Sequence, residues 1–123
     1  MRKGLIAQGD FFEESGYREM TRLLARRPDL DAVFAASDLM AAGAIRALRD
    51  RGRRVPADVA VVGFDDAPIA SHTLPTLTTV RQPLDEMTSA AVDLLLRRVR
   101  DDSPKAERVV CPIVLVRRGS TYS

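Results

Sequence analysis

Short apolar runs alternate with longer segments of helical periodicity over the first half of the chain. The runs lie at residues 5–8, 30–36 and 59–64, and each ends in a polar or acidic turn. Apolar residues recur at helical spacing over about residues 14–27, and again from residue 38 to about residue 51. Because strands that alternate with helices are typical of α/β proteins, the pattern predicts a parallel sheet with the three runs at its centre.

Capping and breaking residues indicate where the first two helices begin and end. Pro28 ends the first helix, since proline cannot continue the backbone hydrogen bonds. Asp38 is expected to cap the start of the second helix, and Gly52 to follow its end. Small and apolar residues surround nearly the whole of this second helix, so we expect it to lie close against a sheet or another subunit.

The second half of the chain has a different pattern. Residues 65–75 contain two prolines and are predicted to form a loop, while residues 76–80 alternate like a half-buried strand. A proline suits the first position of a third helix over residues 83–101, which has acidic residues in its first turn and arginines in its last. Residues 109–116 predict a final strand, and Pro112 indicates an edge or a bulge because it removes a ladder donor.

The composition is that of one globular domain. The chain has 123 residues, of which 46% are apolar, and its net charge of +2 comes from basic residues spread over several segments, a weak indication of nucleic-acid binding. A single Cys111 cannot form a disulfide within the chain. The apolar start is too short for a signal peptide and no run is long enough to cross a membrane, so we expect a cytoplasmic location and no membrane partner.

The turns that follow the three predicted strands carry the candidate chemistry. Ligands of open α/β sheets bind beyond the carboxyl ends of the strands, where such turns meet. A carboxylate accepts hydrogen bonds from hydroxyl or N–H groups and an aromatic face packs against a sugar ring or a base, so the turns suit a neutral polar ring. The candidate residues are Asp10, Phe11, Ser37, Asp38, Asp65 and Asp66.

A purely structural role is the alternative for several of these carboxylates. Aspartate beside a strand–helix junction commonly caps the helix or stabilises the turn. This is the commoner outcome for Asp10, for Asp66 and above all for Asp38. The alternative therefore stays open at this point.

Catalytic chemistry has little support in the sequence. His72 is the only histidine and has no Cys or His companion at metal-ligand spacing, so no metal site is predicted. Ser37, His72 and Asp65 contain the residue types of a hydrolytic triad, but no local motif supports one. Phosphate- and dinucleotide-binding glycine motifs are missing as well, so we expect neither an enzyme nor a cofactor.

Four segments together form a combination of motifs known from one family. They read QGDFFEESGY at residues 8–17, SDLMAAGA at 37–44, VPADVAVVGFDD at 55–66 and LTTVRQP at 77–83. In this combination the chain resembles the LacI/GalR family of transcription repressors, and residues 8–17 are similar to the purine repressor branch. The resemblance implies a three-layer, parallel-sheet lobe of the periplasmic-binding-protein-like (type I) fold with an edge strand near the C-terminus.

The resemblance also assigns roles to residues of the turns. By their positions in the family motifs, Asp65 hydrogen-bonds the effector and Phe11 stacks on it. Ser37 stands where many members have an asparagine that contacts a sugar hydroxyl, and it is shorter with one fewer donor. Phe12 departs from the small or polar residue usual at its position. Asp10 completes the expected effector-binding set.

The resemblance further implies that residues 1–123 are the second lobe of an effector-binding domain that controls DNA binding allosterically. The effector is expected to be a sugar or a purine-like molecule, and operator DNA is bound only through an N-terminal head that this sequence lacks, together with the hinge and the first lobe. The helix over residues 83–101 is expected to pack on that first lobe, and the outer face of the lobe to form a homodimer. The alternatives are an exported sugar-binding protein of the same fold and a truncated fragment without activity.

Overall fold

A four-stranded sheet with helices packed against it forms the described part of the chain. The computed structural model describes residues 4–101 and 106–121. The strand order is β1-β2-β3-β4, and β1, β2 and β3 are parallel, with Val33 paired to Val61 and Gly63 paired to Thr79. This confirms the predicted α/β class. In chain order the elements are α1 (Glu13–Arg26), β1 (Ala32–Phe34), α2 (Asp38–Asp50), β2 (Ala60–Phe64), a 3-10 helix (Pro68–Ser71), β3 (Thr78–Arg81), α3 (Leu84–Arg100) and β4 (Val114–Val116).

The core lies between α1, α2 and one face of the sheet. Its large buried side chains are Met20, Leu48, Val59, Val61 and Leu77. The two helices approach each other at glycines, since a Cβ on Gly16 would collide with the Met40 carbonyl and one on Gly43 with the Glu13 carbonyl. The small residues of α2 therefore serve close packing against α1 as well as against the sheet.

Several predicted elements differ from the structure in detail. Residues 5–8 are irregular, so the prediction of a strand there is wrong. The run holds only three apolar residues and Ile6 remains 61% exposed, so the segment gains little from joining the sheet. The strand predicted at residues 76–80 is β3, but Thr78 and Thr79 are both buried, because their hydroxyls have hydrogen-bond partners inside the protein.

The ends of two helices also need correction. Ser37, and not Asp38, is the N-cap of α2, because its hydroxyl oxygen accepts a hydrogen bond from the Met40 backbone N–H while Asp38 is the first helical residue. Gly52 follows α2 with a positive φ of 71°, as predicted. Pro83 caps α3 instead of forming its first turn.

The chain divides into two compact units. Unit 1 contains Met1–Arg81 and Leu115–Ser123, and unit 2 contains Gln82–Val114. In unit 2, none of the residues of α3 is buried, and the helix exposes apolar side chains that include Leu95 and Val99. No helix among the described residues is long and apolar enough to cross a membrane.

Candidate functional site

The candidate turns have an unusual backbone. Among the described residues, the non-glycine residues with positive φ are Phe11 at 71°, Asp65 at 108° and Asp66 at 54°. This region is sterically unfavourable for residues with a Cβ, and such residues concentrate at functional sites because surrounding contacts must hold them there. All three lie in turns that the sequence indicates as ligand-binding turns.

Ser37 connects the first turn to the start of α2. Its Oγ donates to the Phe11 backbone oxygen at 2.9 Å and accepts from the Met40 backbone N–H at 3.2 Å, and the residue is only 5% exposed. The single hydroxyl proton is therefore already used. Ser37 fixes the backbone that carries the Phe11 ring, and little of its hydrogen-bonding capacity is left for a ligand.

Asp10 stabilises the turn in which Phe11 lies. Its Oδ1 accepts from the Phe12 backbone N–H at 3.0 Å, and its own backbone N–H donates to Ser15 Oγ at 3.0 Å. Hydrogen bonding by Ser15 and by the Phe12 backbone holds the pKa of Asp10 below its ordinary value, so the carboxylate is charged at neutral pH. This arrangement matches the turn-stabilising alternative for Asp10.

Asp38 joins the second and third turns inside the protein. Its Oδ1 accepts from Thr79 Oγ1 at 2.6 Å and its Oδ2 accepts from the Ala67 backbone N–H at 2.7 Å, while the residue is 1% exposed. Burial raises the pKa of Asp38, although the two hydrogen bonds oppose this, and the neighbouring charges of Asp65 and Asp66 raise it further. Through these hydrogen bonds the carboxylate links the loop after β2 to the start of α2.

Asp66, on the same turn, forms ion pairs with two arginines. Its Oδ2 accepts from Arg81 Nε at 2.6 Å, and its Oδ1 accepts from an Arg118 terminal nitrogen at 2.8 Å. Partial burial acts to raise the pKa of Asp66, but the hydrogen bonds from Arg81 and Arg118 lower it below its ordinary value. Asp66 is therefore an internal ion-pair partner.

Phe11 and Asp65 are exposed, unlike Ser37 and Asp38, which are buried. The Phe11 ring is 62% exposed although its backbone is held by Ser37. Asp65 is also exposed, and its backbone N–H donates to the Val80 oxygen at 2.9 Å. The site thus offers an aromatic face and a carboxylate on fixed backbone, which is the chemistry required for a neutral polar ring.

The structure gives no hydrogen bond between the serine and the histidine of the hypothetical triad. The Ser37 hydroxyl binds backbone groups of Phe11 and Met40, and His72 Nδ1 lies 2.7 Å from the Pro68 oxygen. Within residues 4–101 and 106–121, no group of three or more His, Cys, Asp or Glu residues is placed to hold a metal ion.

A separate groove of about 540 Å³ lies away from these turns. It is lined by Ile45, Arg49, Gly52, Arg53, Arg54, Val55, Leu74 and Pro75. None of the predicted effector-binding residues belongs to it. Its lining comes from α2, from the segment before β2 and from the loop before β3, at the opposite end of β2 from Asp65.

Sequence reasoning missed the partners that hold the turns together. Thr79 lies 41 positions from Asp38, and Arg118 lies 52 positions from Asp66. No local motif links either pair. The available signal was the polar pair Thr78–Thr79 at the start of a strand in an otherwise apolar sheet, because polar side chains buried in a sheet require partners.

A family model matches almost the whole chain. Residues 2–121 match the periplasmic binding protein-like domain. The regulator CelR of Thermobifida fusca is 47% identical over 116 residues, which are 94% of this chain and 34% of that protein. The regulator MalR of Streptomyces coelicolor is 45% identical over 124 residues, which cover 100% of this chain and 35% of that protein. The chain thus spans about a third of the length of these relatives.

Solved structures show the same similarity in three dimensions. A complex of the transcriptional regulator CelR with cellobiose has a TM-score of 0.92 and 46% identity, over 98% of this chain and 37% of that one. A lac repressor dimer bound to its operator and to the anti-inducer ONPF has a TM-score of 0.84 and 35% identity, over 94% of this chain and 40% of that one.

Proposed function

Because this chain belongs to the periplasmic binding protein-like domain family, in the branch of the LacI-type regulators, we propose that it is the effector-sensing second lobe of a transcriptional repressor. In this role the chain supplies half of a binding cleft. Occupation of the cleft changes the affinity of the whole regulator for its operator, an allosteric coupling that is typically worth about 1–3 kcal/mol.

One observation carries the proposal. Phe11 and Asp65 combine a positive φ with an exposed side chain, while their neighbours Ser37 and Asp38 are buried and hold the turns. Residues with such backbone angles cluster at ligand-binding sites, where the surrounding contacts hold them. A binding role for the ring and the carboxylate accounts for both features.

The effector we propose is a sugar or another neutral polar ring. The Asp65 carboxylate accepts hydrogen bonds from two neighbouring hydroxyl groups, and the Phe11 face covers the apolar side of the ring. A relative of 46% identity has been solved with cellobiose, which supports the sugar. A purine-like base is the second candidate, since repressors named PurR are about 40% identical to this chain.

The remaining partners follow from the same assignment. We expect the apolar side chains of α3 to be covered by the first lobe of the regulator, and DNA to be bound through a separate head in the cytoplasm. A homodimer is supported by the lac repressor dimer among the structural relatives. We expect its interface on the outer face of unit 1, including the loop 69–74. No catalytic step is part of the proposal.

The test is a titration of the isotope-labelled chain with cellobiose, maltose and adenine, followed by amide NMR. We expect one of these ligands to shift the amide signals of Phe11, Ser37 and Asp65 while those of Arg53 and Val59, at the other end of the sheet, stay unchanged. NMR suits a half cleft, because a Kd of about 1 mM corresponds to only about 4 kcal/mol. Shifts confined to the Arg53 end would contradict the proposal.

Two aspartate variants sharpen the titration. Asp65→Ala removes the proposed acceptor and is expected to weaken binding at least tenfold, since a hydrogen bond to a charged group contributes roughly 1.5–3 kcal/mol. Asp31→Ala removes an exposed carboxylate just before β1 and should leave the affinity unchanged. If the two variants bind the ligand with equal affinity, Asp65 does not take part in binding.

A further inference from the structure

The chain passes between its two units twice. It leaves unit 1 after Arg81, at the end of β3, and returns to unit 1 at Leu115. Arg81 is the last residue before the chain leaves unit 1, and Arg118 lies shortly after its return at Leu115. Hinges in proteins are commonly a few residues of this kind, at the ends of structural elements.

Asp66 binds both of these segments. One carboxylate oxygen accepts from Arg81 Nε at 2.6 Å and the other from Arg118 at 2.8 Å. The carboxylate is 11% exposed and the Arg118 side chain 19% exposed, so this pair is shielded from solvent far more than the surface pair of Arg54 and Asp58. A shielded, charge-assisted contact is stronger than an exposed one.

Arg118 is also tied to β3 by other bonds. Its side chain donates to the Leu77 oxygen at 3.0 Å, and its backbone N–H donates to Thr78 Oγ1 at 2.8 Å. The Asp66 backbone N–H in turn contacts Thr79 Oγ1 at 3.4 Å. The departing and returning segments are therefore joined to each other and to the turn after β2.

Asp66 is covalently next to Asp65, the effector-binding residue under the proposed function. Both residues have positive φ, so two consecutive residues are held in a backbone conformation that non-glycine residues rarely adopt. Because the two residues share a peptide bond, a change in the backbone angles at Asp65 also displaces Asp66. The position of the Asp66 carboxylate changes with them.

We propose that Asp66 is a positioning residue that couples the effector turn to both points where the chain crosses between its units. Through its contacts with Arg81 and Arg118, movement of the turn on effector binding reaches the two crossover segments together. The inference rests on the proposed function for its ligand, while the coupling itself is a property of the chain without ligand.

The first experiment needs no ligand. Hydrogen exchange is followed in the full 123-residue chain, in Asp66→Asn and in the control Asp58→Asn, which removes an aspartate–arginine pair before β2. We expect Asp66→Asn to speed exchange of the Asp65 and Arg118 amides roughly tenfold or more, as loss of a charge-assisted bond implies, and to leave the Ala60 amide unchanged. Equal acceleration at Ala60, or none at Arg118, would overturn the coupling.

The second experiment adds cellobiose as the probe and follows the side-chain signals of Arg81 and Arg118. In the wild type both signals are expected to shift along with that of Asp65. In Asp66→Asn the Asp65 signal still shifts with a similar Kd but the arginine signals do not, and Asp66→Glu restores part of the response. Arginine shifts that persist in Asp66→Asn would overturn the inference.

The two hypotheses fail in different ways. If cellobiose, maltose and adenine shift no signal at the turns of the wild type, the proposed function fails, while the exchange result still decides the coupling. If a ligand binds and the exchange of Arg118 is insensitive to Asp66→Asn, the coupling fails and the proposed function stands.

Discussion

Replacement of the buried Asp38 by alanine is the sharpest test of how the site is held together. Asp38 is 1% exposed and each of its carboxylate oxygens has a partner, Thr79 Oγ1 at 2.6 Å and the Ala67 N–H at 2.7 Å. Asp38→Ala leaves the buried Thr79 hydroxyl and the half-buried Ala67 N–H without an acceptor. The loss of these two hydrogen bonds loosens the turn that contains Asp65.

The expected magnitude follows from the two donors. A buried donor left without a partner costs about 1–3 kcal/mol and an ordinary hydrogen bond contributes about 0.5–1.5 kcal/mol, so Asp38→Ala should lower the free energy of unfolding by about 1.5–4.5 kcal/mol. That is a large fraction of the roughly 5–15 kcal/mol that stabilises a natural domain. Thr79→Val removes one contact of the Asp38 carboxylate and the acceptor of the Asp66 N–H, so it should also destabilise the chain, by at least about 1 kcal/mol.

Urea unfolding followed by circular dichroism measures the difference. Asp50→Ala is the control, because Asp50 lies at the other end of α2, is exposed and accepts one hydrogen bond from the Tyr17 hydroxyl at 3.0 Å. Its loss should be less than about 1 kcal/mol. If Asp38→Ala and Asp50→Ala destabilise the chain equally, the two hydrogen bonds of Asp38 do not hold the turns together.

Four further outcomes are expected from the structure. Gly43→Ala should lower the free energy of unfolding by about 1–3 kcal/mol in the same urea assay, since its Cβ would collide with the backbone of α1, and an unchanged stability would contradict the close helix contact. In pH-dependent unfolding, the stabilisation from Asp66 should be present above about pH 4 and lost as the pH falls, because its folded-state pKa is lowered, while Asp66→Asn should lack this loss. The raised pKa of Asp38 has the opposite sign, so the wild type should lose stability relative to Asp38→Asn as the pH rises above about 4. Leu95→Gln should change stability by less than about 0.5 kcal/mol because Leu95 is 63% exposed, and a loss above about 2 kcal/mol would contradict that exposure.

The elements with strong local patterns were predictable from the sequence. The continuous apolar run before Asp65 predicted β2 because a strand covered on both faces needs apolar residues throughout. The periodicity that places Met20 and Leu24 on one face predicted α1 to within a residue at each end. The turn that contains Asp65 follows β2, as the rule that parallel strands present their ligand-binding turns at one edge predicts. Phe11 follows a segment that forms no strand, so its assignment rests on the family resemblance alone.

Which of the turn residues cap a helix and which form internal hydrogen bonds could not be predicted from the sequence. Serine and aspartate are both good N-caps, so the choice between Ser37 and Asp38 depends on Thr79, which local sequence does not bring near. The role of Asp66 depends in the same way on Arg118, 52 positions away. Contacts between distant segments leave no periodic signal in the sequence, so only the three-dimensional structure reveals them.

The most direct measurement of the central claim is effector-controlled DNA binding by a chimera. Residues 2–121 of this chain replace the matching third of the Thermobifida fusca regulator CelR, and operator binding is followed by fluorescence anisotropy with and without cellobiose, maltose and adenine. We predict that one of these ligands changes operator affinity by roughly 5- to 150-fold, and that Asp65→Ala abolishes the change. A chimera that binds both operator and ligand, but whose operator affinity does not respond to the ligand, would contradict the claim that this chain senses an effector.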